Sequence, residues 1–417
     1  MNAKSGSSPP TDILIAGGGF VGLALALALA KLMPEDFSIA LVAADCLDPS
    51  TPSHHDARAS ALGAGTVHLL EALGVWSTLR DKAQPFISIE ITDSTLNANL
   101  RPHLAGFDAE LQSGEPGAVM IENADLRRAL AEAVLSRPTI EIVSPGSVVN
   151  FVSTQHAMTA KLADGTEMTT RLLVAADGKR SRLREQAGIK CVSWSYPQMG
   201  IVTTVAHSKP HDGKAVQHFL PSGPFAILPL KGSRSSIVWS ETKDRAAEIM
   251  TGDEANFLAE LGRRFGDQLG MIELAGPRQA FPLDFQIART FVAERFVLIG
   301  DAAHAVHPLA GQGLNIGMRD VAALAEVIVD GARLGLDIGS PVLLERYERW
   351  RRFDSALSAT VMDGLNRLFS NDSAPLRALR DLGLGVVDRT PPLKRFFVRE
   401  AAGMTGEVPC LLKGELP

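Results

Sequence analysis

The stretch IGDAAHAVHPLAGQGLNIG (299–317) concentrates residues that can bind a ligand or move a proton. Asp301 directly follows an apolar run, His304 and His307 lie three residues apart, and a glycine-rich turn precedes a helical pattern. These residue types suit three kinds of site: a metal centre, a proton relay, or a cradle for a phosphorylated group. The two histidines also have a simpler interpretation, as packed and hydrogen-bonded structural residues.

A second candidate site lies near the N-terminus, where the short strand pattern ILIA runs into Gly17, Gly19 and Gly22. These glycines form the GxGxxG spacing and are followed by apolar residues at helical spacing. The first glycine permits a tight turn, the second lets a pyrophosphate approach the backbone, and the third packs helix against strand. The N–H groups and positive dipole end of the helix favour phosphate. The sequence therefore predicts dinucleotide binding.

The next strand pattern, FSIALVAA (37–44), would complete a βαβ unit. In such units an acid about 20 residues beyond the glycines usually binds the ribose hydroxyls, and this strand lacks it. Ala43 and Ala44 stand at that place, and the nearest acid is Asp45. Two alternatives follow: Asp45 reaches the ribose, or the adenosine half is bound without a carboxylate.

A third stretch, VAADGKRSRLR (174–184), places Asp177 and Gly178 at the end of a buried strand pattern. Gly300 and Asp301 end another such strand. For Asp177 the simpler alternative is a cap for the basic helix that follows.

Together the three stretches resemble the three motifs of class A flavoprotein monooxygenases, and among these the ubiquinone-biosynthesis hydroxylases most. The segments DARASALGAGTVHLLEALGVW (56–76), ENADLRRAL (122–130) and QHFLPSGPFAILPL (217–230) resemble the same branch. The resemblance covers most of residues 12–410.

The resemblance implies FAD as cofactor, NADH or NADPH as reductant, and O₂ as the source of a hydroxyl group added to an aromatic ring. Asp301 would accept hydrogen bonds from the flavin ribitol, and Asp177 would serve the pyrophosphate. Arg58 and Arg127 match positions near FAD, with solvated surface arginines as the alternative. The residues implied to wrap the isoalloxazine edge are Pro308, Gly311, Gln312, Gly313, Leu314 and Asn315.

Candidate catalytic residues are Pro308, beside the implied flavin, and Tyr196. The chain has two tyrosines, Tyr196 and Tyr347, and only Tyr196 lies in the predicted substrate domain. A relay of two tyrosines, which activates the phenol in some members of the family, is therefore not expected. Tyr196 either lines the substrate pocket or packs in a core.

Composition and charge exclude several other classes of protein. A net charge of −6 provides no basic field for nucleic acid. The three cysteines are far apart, which predicts neither a disulfide framework nor a zinc site, and we expect no metal. The apolar N-terminal run could pass for a signal peptide or membrane span, but its glycines argue against both. We expect a cytoplasmic protein.

The fold class predicted is α/β, a Rossmann-like FAD-binding domain with an inserted antiparallel β-sheet substrate domain and a helical C-terminal region. The cofactor domain is discontinuous. The predicted boundaries are 12–83, 117–187 and 290–340 for the cofactor domain, 84–116 and 188–289 for the substrate domain, and 341–417 for the C-terminal region.

The substrates implied by the resemblance are polyprenylated phenols, which reside in membranes. The segment PPLKRFFVREAAGM (391–404) combines basic and aromatic residues. It predicts either a peripheral contact at the inner face of the membrane, a packed C-terminal helix or an oligomer contact. Homo-oligomerisation and membership of a ubiquinone-biosynthesis complex both stay open.

Three other functions are compatible with the residues. One is a flavin hydroxylase of a small soluble aromatic compound. Another is a flavin reductase or oxidase of the same fold, such as a polyprenyl reductase. The third is a flavin-poor subunit that binds lipid or scaffolds the biosynthetic complex, an alternative suggested by Ala43.

Overall fold

The structure is a computed structural model that describes residues 11–48, 56, 58–93, 103–306, 312–369 and 390–417. The predicted site residues Pro308 and Gly311, and also His307, lie outside the described residues. The helices are α1 (Phe20–Leu32), α2 (Ala64–Ala72), α3 (Asn123–Leu135), α4 (Arg182–Gln186), α5 (Lys243–Thr251), α6 (Glu254–Phe265), α7 (Gln312–Arg333), α8 (Pro341–Phe369) and α9 (Pro391–Ala401).

Three sheets contain the strands. The strands are β1 (Thr11–Ala16), β2 (Ile39–Val42), β3 (Ala59–Gly63), β4 (Gln84–Pro85), β5 (Ser88–Asp93), β6 (His103–Asp108), β7 (Ala118–Glu122), β8 (Ile140–Val143), β9 (Val148–Ser153), β10 (Met158–Leu162), β11 (Glu167–Ala175), β12 (Cys191–His207), β13 (Lys214–Leu220), β14 (Gly223–Leu230), β15 (Arg234–Thr242), β16 (Ile272–Leu274), β17 (Gln279–Ala288), β18 (Val292–Ala293), β19 (Phe296–Leu298) and β20 (His304–Ala305).

The first sheet has the order β18-β19-β11-β1-β2-β8, and its strands from β19 to β8 are parallel. Helices α1, α3 and α7 contribute to one core with these strands. Helix α1 is buried on every side from Gly22 to Leu29. This complete burial explains why the N-terminal run is apolar throughout without being a membrane segment. None of the described helices is long and apolar enough to cross a membrane.

The second sheet has the order β20-β17-β12-β15-β14-β13-β5-β6 and is antiparallel except for the parallel pair β13–β5. Its outer face packs under α5 and α6 through Phe225, Ile237 and Trp239. These two helices were not anticipated from the sequence. Side chains alternate along a strand, so Ala226 and Val238 lie on the opposite face, which we call the inner face.

The inner face turns toward a small third sheet, β3-β7-β4. Ala215 of β13 and Leu228 of β14 pack there with Ala61 of β3 and Met120 of β7. The α/β architecture predicted for the chain is therefore present, with an inserted, mainly antiparallel sheet. The domain boundaries proposed from the sequence stay a prediction.

Asp320 on α7 is fully buried and joins three segments of the chain. Its carboxylate accepts hydrogen bonds from the Gly300 N–H at 2.9 Å, from His304 Nε2 at 2.6 Å and from Arg351 Nε of α8 at 2.8 Å. Burial raises the pKa of Asp320, but the charges of His304 and Arg351 outweigh this effect and leave the pKa below its ordinary value. The network fixes α7 and α8 relative to the turn that carries Asp301.

Two charged residues of α7 are buried, since Arg319 and Asp320 are 6% and 0% exposed. Helix α8 covers them and supplies charged partners. Arg319 Nε lies 3.4 Å from Asp354 Oδ2, and its Nη2 donates to the Thr405 carbonyl at 3.0 Å. Buried charges are stable only with such partners.

The chain beyond α9 returns to the first core, which includes Leu411 and Leu412. The Gly65 N–H donates to the Ala402 carbonyl at 3.0 Å, and the Cys410 N–H donates to Glu326 Oε2 at 2.8 Å. The C-terminal region is therefore part of the support of the cofactor-side sheet.

We predict that Asp320→Asn lowers the free energy of unfolding by about 3–5 kcal/mol, because it removes the buried charge that pairs with both His304 and Arg351 and leaves Arg351 only its ion pair with the less buried Asp354. Chemical denaturation at neutral pH measures the change. The matched control is Asp330→Asn, which breaks a half-exposed ion pair with Arg346 and is expected to change stability by less than about 1 kcal/mol.

The pH dependence gives a second check on the same variant. Because the pKa of Asp320 is lowered in the folded protein, its stabilising effect is present above the unfolded pKa of about 3.9 and is lost as the pH falls through the folded value. The stability difference between the wild type and Asp320→Asn should shrink in acid. Equal stability of the two proteins at pH 7 would contradict the structural role.

Candidate active site

Four parallel strands of the first sheet end level with one another. Ala16 pairs with Val42 and with Ala175, and Ala175 pairs with Leu298. The segments that follow these residues therefore gather at one sheet edge. They contain Gly17, Asp177 and Asp301, each of which the sequence placed directly after a strand pattern.

The glycines of the GxGxxG turn serve different purposes. Gly17 has φ +133°, and a Cβ there would lie 2.1 Å from the Ala176 carbonyl oxygen. A Cβ on Gly22 would lie 1.9 Å from the Gly17 oxygen. A Cβ on Gly19 would meet no atom within 4 Å. The first and third glycines are required by the protein's own packing, and the second leaves open space at the N-terminus of α1.

The first turn of α1 lies against the second turn of α7 and against Gly300. Cβ atoms built on Gly300 and Gly317 would each lie 3.0 Å from Val21 Cγ2 in the first turn of α1. A Cβ on Gly313, at the start of α7, would meet open space. Two positive helix ends, each with an open glycine, therefore border the same edge, an arrangement that attracts anionic groups.

A cavity of about 220 Å³ opens at the start of α1. Arg58 donates two hydrogen bonds there to Asp56, at 2.7 and 2.8 Å. Burial raises the pKa of Asp56, but the hydrogen bonds and charge of Arg58 outweigh it and lower the pKa overall. The cavity is lined by Gly19, Phe20, Asp56, Arg58, Asn123, Ala124 and Arg127.

The ribose position departs from the usual pattern, as the sequence indicated. Ala43 is buried against the glycine turn, since a Cβ on Gly18 would lie 2.4 Å from the Ala43 Cβ. Asp45 is 81% exposed and lies 3.6 Å from Arg127 Nη2. Both alternatives for the ribose stay open, and Arg127 connects Asp45 to the cavity.

Asp177 lies at the edge beside the N-terminus of α4. The residue that caps α4 with its side chain is Ser181, whose Oγ accepts from the Arg184 N–H at 3.0 Å. Burial raises the pKa of Asp177, while Ser181 and the Leu183 backbone act in the opposite direction. Gly178 has φ +83°, a conformation that favours glycine. The predicted contact of Asp177 with pyrophosphate stays a proposal.

Asp301 is exposed at the crevice within a short 3₁₀ turn. The surrounding protein partly removes the Asp301 carboxylate from water, and this desolvation raises its pKa. The positive charges of His304, Arg58 and Lys179 act in the opposite direction, but the pKa stays above its ordinary value. A carboxylate in such surroundings can accept hydrogen bonds from hydroxyl groups of a ligand.

The start of α7 holds the remaining predicted residues. The Asn315 side chain accepts from the Gly63 N–H at 2.9 Å and from Thr66 Oγ1 at 2.8 Å, and donates to the Ala61 carbonyl at 2.9 Å. Asn315 thereby fastens α7 to β3, and only its backbone is available to a ligand. Gln312, Gly313 and Leu314 are partly exposed in the first turn, where the N–H groups of a helix have no intrahelical partners.

Tyr196 is 5% exposed on β12, beside a β-bulge. It packs with Leu283 and Phe285 of β17 and with Val306, which directly precedes residues 307–311. Tyr196 is thus compatible with a role in the substrate pocket and with packing in a core. Its cluster adjoins residues 307–315, the flavin segment, which the family resemblance places at the isoalloxazine edge. The catalytic role of Tyr196 stays a prediction.

His304 is buried and pairs with Asp320, which matches the structural interpretation of this histidine. No group of three His, Cys, Asp or Glu residues with metal-binding geometry occurs within the part of the chain that the structure describes.

Several residues at the crevice were missed by sequence reasoning. Asparagine is a common helix N-cap, but the N-cap position of α3 is held by Glu122, one residue before Asn123. The Asn123 side chain instead accepts from Ser60 Oγ at 2.7 Å and donates to Asp56 at 3.3 Å. Arg184 donates from its guanidinium to the Ala302 carbonyl at 2.9 Å, joining two segments of the edge. No local pattern distinguishes these residues from surface polar residues.

The first and second sheets meet around the crevice. The Arg58 guanidinium lies 5.3 Å from the centroid of the Phe281 ring on β17. Lys179 forms an ion pair with Asp284, also on β17, and its carbonyl accepts from Gln286 Nε2 at 3.1 Å. A ligand at the nucleotide edge is therefore close to one end of the second sheet.

The arrangement fits FAD. Gly19 and Gly313 leave open space at the N-termini of α1 and α7, and arginines line the cavity beside α1. A pyrophosphate and a flavin would fit at these two helix ends. The class of protein that the fold and site define is a flavoprotein with an aromatic-hydroxylase architecture, and the chain belongs to the FAD binding domain family, which matches residues 10–356.

Within that family the chain is similar to ubiquinone hydroxylases. It is 43% identical to ubiquinone hydroxylase UbiL of Rhodospirillum rubrum over 97% of this chain and 92% of that protein. It is 34% identical to 3-demethoxyubiquinol 3-hydroxylase of Escherichia coli over 95% of this chain and 100% of that protein. The chain is thus a class A flavoprotein monooxygenase of the ubiquinone-hydroxylase group, with FAD as its cofactor.

The fold is shared with solved monooxygenases. The crystal structure of p-nitrophenol 4-monooxygenase from Pseudomonas putida superimposes with a TM-score of 0.77 at 19% identity, over 95% of this chain and 99% of that chain. At this level of identity the similarity concerns the fold alone.

We predict that Gly19→Ala and Gly22→Ala separate ligand binding from folding. Gly19→Ala places a methyl group in the open space and should weaken FAD binding about ten-fold or more, with little change in apoprotein stability, since displaced contacts of this kind cost about 1–3 kcal/mol. Flavin fluorescence measures the dissociation constant and thermal unfolding of the apoprotein measures stability.

Gly22→Ala is the matched control, because its methyl group would collide with the Gly17 backbone. It should lower the apoprotein melting temperature and the yield of folded protein. Wild-type FAD affinity in Gly19→Ala would show that the pyrophosphate does not approach this turn.

Proposed function

We propose that the protein hydroxylates the aromatic ring of a polyprenylated phenol in ubiquinone biosynthesis, with NADH or NADPH as reductant and O₂ as oxidant. The observation that carries the proposal is the meeting of the nucleotide edge with the inner face of the second sheet. Arg58 contacts Phe281, and Val306, which directly precedes the flavin segment, packs with Tyr196. A ring bound on the inner face would then lie next to the cofactor.

The chain's own residues have three tasks in this function. The starts of α1 and α7, with Asp301, would hold the cofactor, which when bound supplies the redox chemistry. The inner face would position the ring. The apolar side chains around Tyr196, Leu283 and Phe285 would exclude water from the site. Excluding water limits the side reactions of reactive intermediates.

The substrate class is supported by the relatives and by the apolar inner face. Proteins similar to this chain over nearly its whole length carry the names ubiquinone hydroxylase and 3-demethoxyubiquinol 3-hydroxylase. Residues such as Ala226, Val202 and Val238 on the inner face suit an alkylated ring better than a charged one. The alternative of a flavin-poor scaffold is disfavoured because the glycine turn, the arginines and Asp301 all fit FAD.

The proposal includes a peripheral contact with the membrane through α9, since the substrate is a lipid. Lys394 points inward and donates to the Gly106 carbonyl at 2.8 Å, so one side of the helix is packed against β6. The other side exposes Arg395, Phe396 and Arg399, with Phe396 53% exposed. A basic and aromatic helix face of this kind favours an anionic lipid surface.

The test of the proposed activity uses the FAD-loaded protein with a short-chain prenylated phenol and either NADH or NADPH. We expect substrate-dependent oxidation of the reductant and a product heavier by one oxygen atom, with that atom derived from ¹⁸O₂ as measured by mass spectrometry. Reductant oxidation that gives only H₂O₂ for every prenylated phenol, but a hydroxylated product from a small soluble phenol, would favour the alternative substrate class.

For the membrane contact we predict that Arg395→Glu combined with Phe396→Ser lowers co-sedimentation with anionic vesicles about five-fold or more, since each basic residue near the surface contributes about 1 kcal/mol. Deleting 391–417 would be a poor test, because Leu411 and Leu412 are core residues. The control is Met271→Ser, which removes an exposed apolar side chain of the second sheet region. Unaltered binding of the double variant would exclude α9.

A further inference from the structure

Gln217 is a long polar side chain on the inner face of the second sheet, in mainly apolar surroundings. In the strand register Gln217 of β13 lies beside Ala226 of β14 and, on its other side, Ile91 of β5. Beyond Ala226 the same row continues with Val238 of β15 and Val202 of β12, and it ends at Gln279 of β17. An amide at this place faces small and branched hydrocarbon groups.

The orientation of Gln217 follows from the alternation along β13. Ala215, two residues earlier, packs with Ala61 and Met120 on the side of the first domain. Val216 and Leu220 belong to the opposite core under α5 and α6. Gln217 therefore shares the inner face with Ala215, because side chains two residues apart on a strand point to the same side.

The Gln217 amide nitrogen is buried and makes no hydrogen bond to any atom of the described structure. Buried donors without a partner are rare in folded proteins, and each one calls for a partner such as a ligand or an ordered water. The hydroxyl of Ser236, on the same face and 1% exposed, is also buried without a hydrogen-bond partner.

Polar side chains that the sheet itself carries on the outer face are paired, unlike Gln217 and Ser236 on the inner face. His207 Nε2 lies 3.0 Å from Ser235 Oγ, and Trp239 Nε1 donates to Glu241 Oε2 at 3.3 Å. The sheet thus satisfies its polar side chains on the side that is filled by α5 and α6. Unsatisfied side chains occur on the side that faces the cofactor domain.

The inner face is continuous with the candidate active site. Phe281 lies beside Gly200 in the register and contacts Arg58 of the cofactor cavity. A Cβ on Gly200 would lie 3.0 Å from Leu283, which packs with Tyr196. A ring bound over Val202 and Ala226 would thus extend from the Gln217 amide toward the flavin side.

We infer that Gln217 orients the substrate by donating a hydrogen bond from its amide to a ring hydroxyl of the phenol. The inference rests on the proposed function and adds a specificity-determining residue to it. A buried amide donor that lacks a protein partner can fix the ring's rotation, because only one orientation places the hydroxyl against this donor. The prenyl chain and the remaining ring atoms contact hydrocarbon groups in that orientation.

The test compares two probes that differ by one hydroxyl group, 2-geranylphenol and geranylbenzene. Their dissociation constants are measured by calorimetry with the FAD-loaded wild type, with Gln217→Met and with the control Gln268→Met. Gln268 is exposed beyond α6, so its variant makes the same chemical change away from the inner face. Thermal unfolding monitors the fold of each protein.

We expect the wild type and Gln268→Met to prefer the phenol about ten-fold, as a lost hydrogen bond predicts. Gln217→Met should lose most of this preference while keeping its affinity for geranylbenzene and its melting temperature. If Gln217→Met does not fold, Gln217→Ala carries the same comparison.

A preference for the phenol that persists in Gln217→Met would overturn the inference and leave the proposed function standing, with an ordered water as the partner of the amide. Failure of the wild type to bind either probe would overturn the proposed substrate class and the inference together. A loss of affinity for both probes in Gln217→Met would show a packing role and also contradict the inference.

Discussion

The buried carboxylate of Asp320 is the interaction on which the arrangement of the site depends. It holds the Gly300 N–H, His304 and the Arg351 guanidinium at once, and its charge is balanced within the core. Its partners lie in the turn that carries Asp301 and in α8, while Asp320 itself lies in α7. Because an unbalanced charge cannot be buried without a large cost, these elements have one stable arrangement, and it sets the position of Asp301.

Close packing of backbone against backbone adds a second constraint. Gly17 and Gly22 bring the first strand, α1 and the end of β11 into contact, and Gly300 and Gly317 bring α7 against Val21. Two helix N-termini thereby converge on one edge. The charged ends of helices act over short distances, so the convergence matters more for an anionic cofactor than either helix alone.

The second sheet provides what the nucleotide edge cannot, an apolar wall for an aromatic ring. Its two faces differ in chemistry. The outer face is filled by Phe225, Trp239 and the helices over it, and the polar side chains that the sheet itself carries there are paired. The inner face combines small apolar side chains with the buried amide of Gln217, which is the kind of surface that holds an alkylated ring and still distinguishes one orientation.

The sequence by itself determined the strand–turn–helix at Gly17–Gly22, the positions of Asp177 and Asp301 at strand ends, and the α/β fold with an inserted sheet, because these depend on local spacing and backbone chemistry. It also indicated that Ala43 removes the usual ribose acid. Only the tertiary structure decided that Asp320 and Arg319 are buried, that Asn315 fastens α7 to β3, and that Asn123 lines the cavity. These side chains find their partners across long stretches of the chain, and periodicity in one helix carries no information about a charged residue on another that comes to cover it.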